Sequence, residues 1–149
     1  MHTMIFPGRY SSLEKIAEFV TREARESHFS ENDVCCIETA VDEACSNIIE
    51  HAYQGENIGD IECTVNLIPE GIVIALKDTG RPFNINKYKP PNLKSPLRNR
   101  KTHGLGLYFI KKMMDKVELS CDGSANILLL TKYRDTHPDA NKTHEQCIG

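Results

Sequence analysis

Between Ser11 and Ile48 the apolar residues recur every three or four positions, the spacing of a helix with one buried face. Leu13, Ile16, Ala17, Val20 and Ala24 mark one such helix within "SSLEKIAEFVTREARES", where Ser11 and Glu14 have the spacing of a capping box. A second helix opens at "SEND" and carries Val34, Ile37, Val41, Ala44 and Ile48. From Ile61 the period becomes two: Ile61, Cys63, Val65 and Leu67 point one way, and Glu62, Thr64 and Asn66 the other. "PEG" then turns the chain into "IVIALKD", an almost continuous apolar run that reads as a buried strand.

Residues 2–6 predict a short strand ended by "PG". "GLGLYFIKKMMDKV" predicts a third helix, with Leu107, Ile110 and Met114 on one face, and "VELSC", a "DG" turn and "NILLLTKY" predict a second hairpin. Residues 79–103, with four prolines and no apolar period, predict a lid, a binding loop or disorder. Strands grouped as hairpins imply an α+β fold, a two-layer sandwich of a mixed, mostly antiparallel sheet with three helices on one face. Residues 1–133 are expected to form a single domain, and the polar residues 134–149 a disordered tail.

The length of 149 residues suits one domain with a real core. The longest apolar runs, "IVIAL" and "ILLL", are too short to span a bilayer, and the N-terminus has no secretory pattern. None of the six cysteines lies in a CxxC or metal-type spacing, and Cys35, Cys45 and Cys63 fall at apolar positions, so a cytoplasmic protein is expected. The charge is uneven. Residues 1–60 hold twelve acids against four bases, whereas residues 84–116 hold nine bases against Asp115 alone. That basic segment suggests phosphate or an acidic partner, or else a solvated face. It has few interleaved aromatics, Tyr88 and the adjoining Tyr108 and Phe109, and matches no nucleic-acid motif, so no direct nucleic-acid role is expected.

Three stretches carry possible chemistry. In "VDEACSNIIEHAY", Glu43 and Asn47 lie roughly 40° apart on a helix, away from the apolar stripe. Such a pair can hold Mg²⁺ and activate a hydroxyl, or can be two solvent-facing polar residues. In "KDTGRPF", Asp78 ends a buried strand, where it can accept a hydrogen bond from a purine amine or simply open an Asp-Thr-Gly turn. In "HGLGL", Gly104 and Gly106 let backbone amides approach phosphates, or form a joint between loop and helix.

Taken in order, these stretches resemble the N, G1 and G2 boxes of the Bergerat ATP-binding fold, shared by gyrase, histidine kinases and MutL. "EHAY" and "DTGRPF" are similar to one branch, the bacterial anti-sigma factors that are serine-protein kinases. The resemblance implies Glu43 as general base, Asn47 as the Mg²⁺ ligand, and Asp78 with Gly80 at the adenine. It places Gly104, Leu105, Gly106 and Leu107 under the phosphates, with ATP and Mg²⁺ as cofactors and ADP as product. It also implies a homodimer that holds a sigma factor and phosphorylates a serine of an anti-anti-sigma partner. Arg22 and Arg25 are candidates for the partner-contacting arginine. "SANILLL" stands where the family has Gly-Thr before the last strand. The alternative is a module that binds ATP and regulates a partner without phosphotransfer.

Overall fold

The period-two stretches pair into a five-stranded sheet, and the three amphipathic helices cover one of its faces. The structure, a computed structural model, describes residues 1–82 and 102–140, apart from the side chains of 102–106. In chain order the elements are β1 (His2–Pro7), α1 (Leu13–Glu26), α2 (Glu31–Asn47), β2 (Asp60–Ile68), β3 (Gly71–Asp78), α3 (Thr102–Met113), β4 (Lys116–Asp122) and β5 (Ala125–Tyr133). The sheet order is β1-β2-β3-β5-β4, and all four pairings are antiparallel. The architecture is the expected α+β sandwich, with a sheet that is antiparallel throughout.

Alternation explains which side chains meet the helices. Ile61, Cys63 and Val65 of β2, Ile72, Ile74 and Leu76 of β3, and Leu130 of β5 are buried against Ile16 and Val20 of α1 and Ile37 and Val41 of α2. Each large aliphatic side chain removed from water this way contributes roughly 2 kcal/mol. Cys36, Cys45 and Cys63 are buried in this layer, whereas Cys35 is only partly so. Burial pushes the Cys63 thiol up to about 12, so it packs as a small hydrophobe.

Local signals are obeyed at some ends and overridden at others. Ser30 caps α2, its side chain accepting the Asp33 N–H at 3.1 Å. The Ser11–Glu14 capping box does not form. Instead residues 10–12 make a 3₁₀ turn, and the Ser12 hydroxyl donates to Pro7 O at 2.7 Å, tying α1 to the end of β1. The third helix stops at Met113 rather than running to Val117. Asp115 N–H is taken by Thr131 O at 2.9 Å, and Lys116 and Val117 then pair with β5. Residues beyond Tyr133 do not leave the domain at once. Arg134 N–H donates to Glu70 O, and its guanidinium bonds Ser27 O at 2.9 Å and Ser27 Oγ at 2.7 Å while covering the Phe29 ring. Residues 141–149 of the expected tail lie outside the described residues.

Lys132 is buried on the helix side of β5. Its ammonium donates to Met113 O at 3.0 Å, at the end of α3, and lies 3.9 Å from Asp33 Oδ1 at the start of α2. Burial raises the Asp33 carboxyl, and Lys132 opposes that rise. The same segment crowds Gly71, where an added Cβ would overlap Lys132 O and lie 2.9 Å from Tyr133 Cα. Gly71→Ala is therefore expected to lower stability by about 2 kcal/mol, measured as a shifted urea midpoint.

Candidate functional site

The apolar stripe of α2 faces the core, which leaves Asn47 half-buried at its flank. There it lines a cavity of about 180 Å³ bounded by α2, α3 and the ends of β3, β4 and β5. Beyond Asn47 the helix widens into a π turn, Ile48–Ala52, closed by Tyr53 N–H to Ile48 O at 2.9 Å. Such turns recur at functional sites because they redirect side chains. This one puts His51 into the cavity wall and leaves Ala52 O to accept Arg81 N–H at 2.8 Å. A Cβ on Gly80 would overlap Ala52 O and C and lie 2.8 Å from Ala52 Cβ. The glycine thus allows the turn after β3 to seat on the end of this helix.

Asp78, the last residue of β3, is only 5% exposed and lines the cavity. Its Oδ1 accepts Gly80 N–H and Asn126 Nδ2–H, both at 2.9 Å. Among the described residues its Oδ2 has no donor. A buried carboxylate oxygen without a donor favours a ligand that brings one. The walls around it, Ile48, Ile110, Val117, Leu119 and Leu128, are apolar. A flat heterocycle with an exocyclic amine fits this combination. Tyr53 holds the turn from the other side: its hydroxyl donates to Asp60 O at 2.5 Å and accepts Thr79 N–H at 3.1 Å. Gly8 and Gly59 make room for its ring.

Of the residues expected at the site, Asn47, Asp78 and Leu107 line one cavity, and Gly80 shapes its edge. Glu43 is half-buried one turn before Asn47 and is not part of the cavity lining. Gly104, Leu105 and Gly106 belong to α3, which begins earlier than expected, at Thr102; the side chain of Leu105 lies outside the described residues, as does the basic run 94–101. Arg25 pairs with Glu31, Nε to Oε1 at 3.2 Å. Asn126 is the residue the sequence reading missed. It is buried, lines the cavity and bonds Asp78, whereas Thr131 sits further along β5, opposite Val73. A signal was present: Asn126, Leu128 and Leu130 share one strand face, and a polar residue at an inward position needs a partner.

An antiparallel sheet under three helices, with an Asn on the second helix and a buried strand-ending Asp on one cavity, defines a Bergerat-type nucleotide-binding domain. Residues 6–132 match the histidine kinase-like ATPase domain, and the chain belongs to that family, in its serine-protein-kinase branch. The chain is 32% identical over 114 residues to the serine-protein kinase RsbW of Bacillus cereus strain AH187, a match covering 74% of this chain and 70% of the relative. It is 33% identical over 109 residues to RsbW of Bacillus thuringiensis subsp. konkukian, covering 70% and 67%. Among solved structures, the RsbU and RsbW domains of Rv1364c from Mycobacterium tuberculosis superpose with a TM-score of 0.61 at 13% identity, over 88% of this chain and 32% of theirs. The catalytic domain of histidine kinase ThkA gives 0.52 at 16% identity, over 88% and 96%. These two share the fold.

Asp42, next to Glu43, is partly buried. Burial first, then Glu38 and Glu43, pushes its carboxyl up to about 6 from an ordinary 3.8. Below pH 3.8 the group is neutral in both folded and unfolded chains. As pH rises through about 6 the folded chain must ionise it at a cost, and that part of the stability is lost. Asp42→Asn is therefore expected to be more stable than the parent by ~1 kcal/mol at pH 8, after allowance for its partial exposure, and not at pH 4. Urea unfolding at both pH values checks this; an equal difference at the two would remove the shift.

Proposed function

We propose that this chain is an ATP-dependent serine-protein kinase acting on a small anti-anti-sigma protein, and that it sequesters a sigma factor until that protein displaces it. The observation that carries the ATP site is Asp78, a buried carboxylate with one oxygen lacking a described donor, on the same apolar cavity as Asn47. The kinase reading rests on the similarity to the serine-protein kinases of Bacillus.

Each residue has a physical task in this reading. Asp78 Oδ2 accepts from the adenine amine, and the apolar walls exclude water around the base. Asn47 offers a neutral hard oxygen, suited to Mg²⁺, which takes few protein ligands. The bound ion supplies charge neutralisation at the phosphates, the main demand of phosphoryl transfer. The segment Gly104 to Leu107 lies under the phosphates. Glu43 takes the proton of the substrate serine as its oxygen bonds to the γ-phosphorus and the bond to the departing ADP breaks. The protein works in the cytoplasm as a homodimer, and Arg22 or Arg25 meets its partner.

A second reading, an ATP-binding module without phosphotransfer, is favoured by one observation: Glu43 does not line the cavity. Calorimetry with Mg²⁺ and phosphorylation of the partner separate the two. Wild type is expected to bind ATP and ADP, Asp78→Asn to lose binding by about a hundredfold, and Asn47→Ala to lose Mg²⁺ dependence. Glu43→Ala should cut phosphotransfer on the order of 10² to 10⁴-fold while ATP affinity holds. A Glu43→Ala protein that still regulates its partner establishes the module. A wild type that binds no nucleotide removes both readings.

A further inference from the structure

We infer that Asn126 is the specificity-determining residue of the nucleotide site: it locks the Asp78 carboxylate through Oδ1, so that a purine meets Oδ2 alone and must present an amine. The inference rests on the proposed ATP site and goes beyond it by assigning base discrimination to a side chain on another strand.

Register lays Asn126 directly opposite Asp78 in the β3–β5 pair, on the face turned to the helices. Both residues are buried, at 6% and 5% exposure. The Asn126 Nδ2 group lies 2.9 Å from Asp78 Oδ1, 3.1 Å from Gly80 O and 3.3 Å from Arg81 O. Its Oδ1 accepts the Cys121 thiol at 3.4 Å. Flipping the amide would set an oxygen against a carboxylate and two carbonyls, which fixes its orientation. Asp78 Oδ1 also receives Gly80 N–H at 2.9 Å, which fills the lone pairs of that oxygen.

A carboxylate terminal torsion is otherwise soft and roughly two-fold. Free to turn, Asp78 could offer either oxygen, and could follow the N1–H of a 6-oxopurine as readily as the amine of a 6-aminopurine. Held by two donors on one oxygen, it cannot turn without breaking a charge-assisted bond in a dry site. The second hydrogen of the same amide is left to the Gly80 and Arg81 carbonyls, at 3.1 and 3.3 Å, so the wall beside the carboxylate is held with it. Asn126 is therefore a positioning residue for Asp78, reaching the base only through it.

The test measures affinities for ATP and for inosine triphosphate, with Mg²⁺, in wild type, Asn126→Thr and Asn126→Val. Threonine and valine match in shape and differ by one hydroxyl donor. Wild type should prefer ATP. Asn126→Val should bind ATP at least tenfold more weakly, with the ratio of the two affinities falling towards one. Asn126→Thr should keep the ratio within about threefold of wild type if its hydroxyl reaches Oδ1; loss in both variants, with unfolding midpoints unchanged, assigns the role to the longer amide. A folded Asn126→Val that binds ATP and discriminates as wild type overturns the inference while leaving the ATP site standing. A wild type that binds neither nucleotide overturns both. Should neither variant fold, side-chain amide exchange in ¹⁵N-asparagine-labelled wild type decides. Slow exchange at Asn126, slower still with ATP than with inosine triphosphate, supports the lock, and exchange as fast as at exposed asparagines overturns it.

Discussion

A carboxylate buried at the end of a sheet strand has to be hydrogen-bonded, and much of the site's arrangement follows from how Asp78 meets that demand. Its partners come from its own turn, through Gly80, and from β5, through Asn126. The second is available only because β5 pairs with β3 in the register that sets Asn126 opposite Asp78. The sheet order is thus a condition of the chemistry as well as of the core. Shifting β5 by one residue would send Asn126 to the far face and bring a different side chain opposite the carboxylate.

The helix that carries Asn47 is fitted to this strand end through backbone contact. The π turn after Asn47 leaves Ala52 O pointing at the Arg81 amide, and Gly80 removes the side chain that would block the approach. Tyr53 then bridges the Asp60 carbonyl and the Thr79 amide. Helix α2 and the turn that follows Asp78 are joined by interactions that side-chain packing alone would not give. The distance between Asn47 on one and Asp78 on the other is held by hydrogen bonds of fixed length.

The parts legible in the sequence were those set by short-range periodicity. The alternation from Ile61 to Val65, the run of β3 and the α2 stripe each name their buried face, and Asp78 and Asn47 stand out by breaking those patterns. Long-range pairing was not legible. That β5 enters between β3 and β4 cannot be read from local spacing, so the role of Asn126 stayed hidden although its inward position was visible. Element ends failed for a related reason. Ser12 bonds Pro7 O, and Asp115 is captured by Thr131, so tertiary contacts displaced the capping box and ended α3 early. Cys36 rather than Cys35 is buried: the stripe of Val34, Ile37 and Val41 has the expected phase, but Cys35 lies off it.

The strand that completes the site follows the other four described strands in the chain. Strands β1 to β3 emerge in an order that lets them pair as they appear, but β5, which lies between β3 and β4 in the sheet, arrives after all of them. Until it does, β3 presents an open edge and Asp78 lacks its opposite amide. The Arg134 grip on Ser27 spans 107 residues of sequence and can close only later still. Contacts this distant in sequence slow folding. Until β5 has been made, the chain therefore holds an unfinished sheet and an unfinished cavity wall, and one strand supplies both.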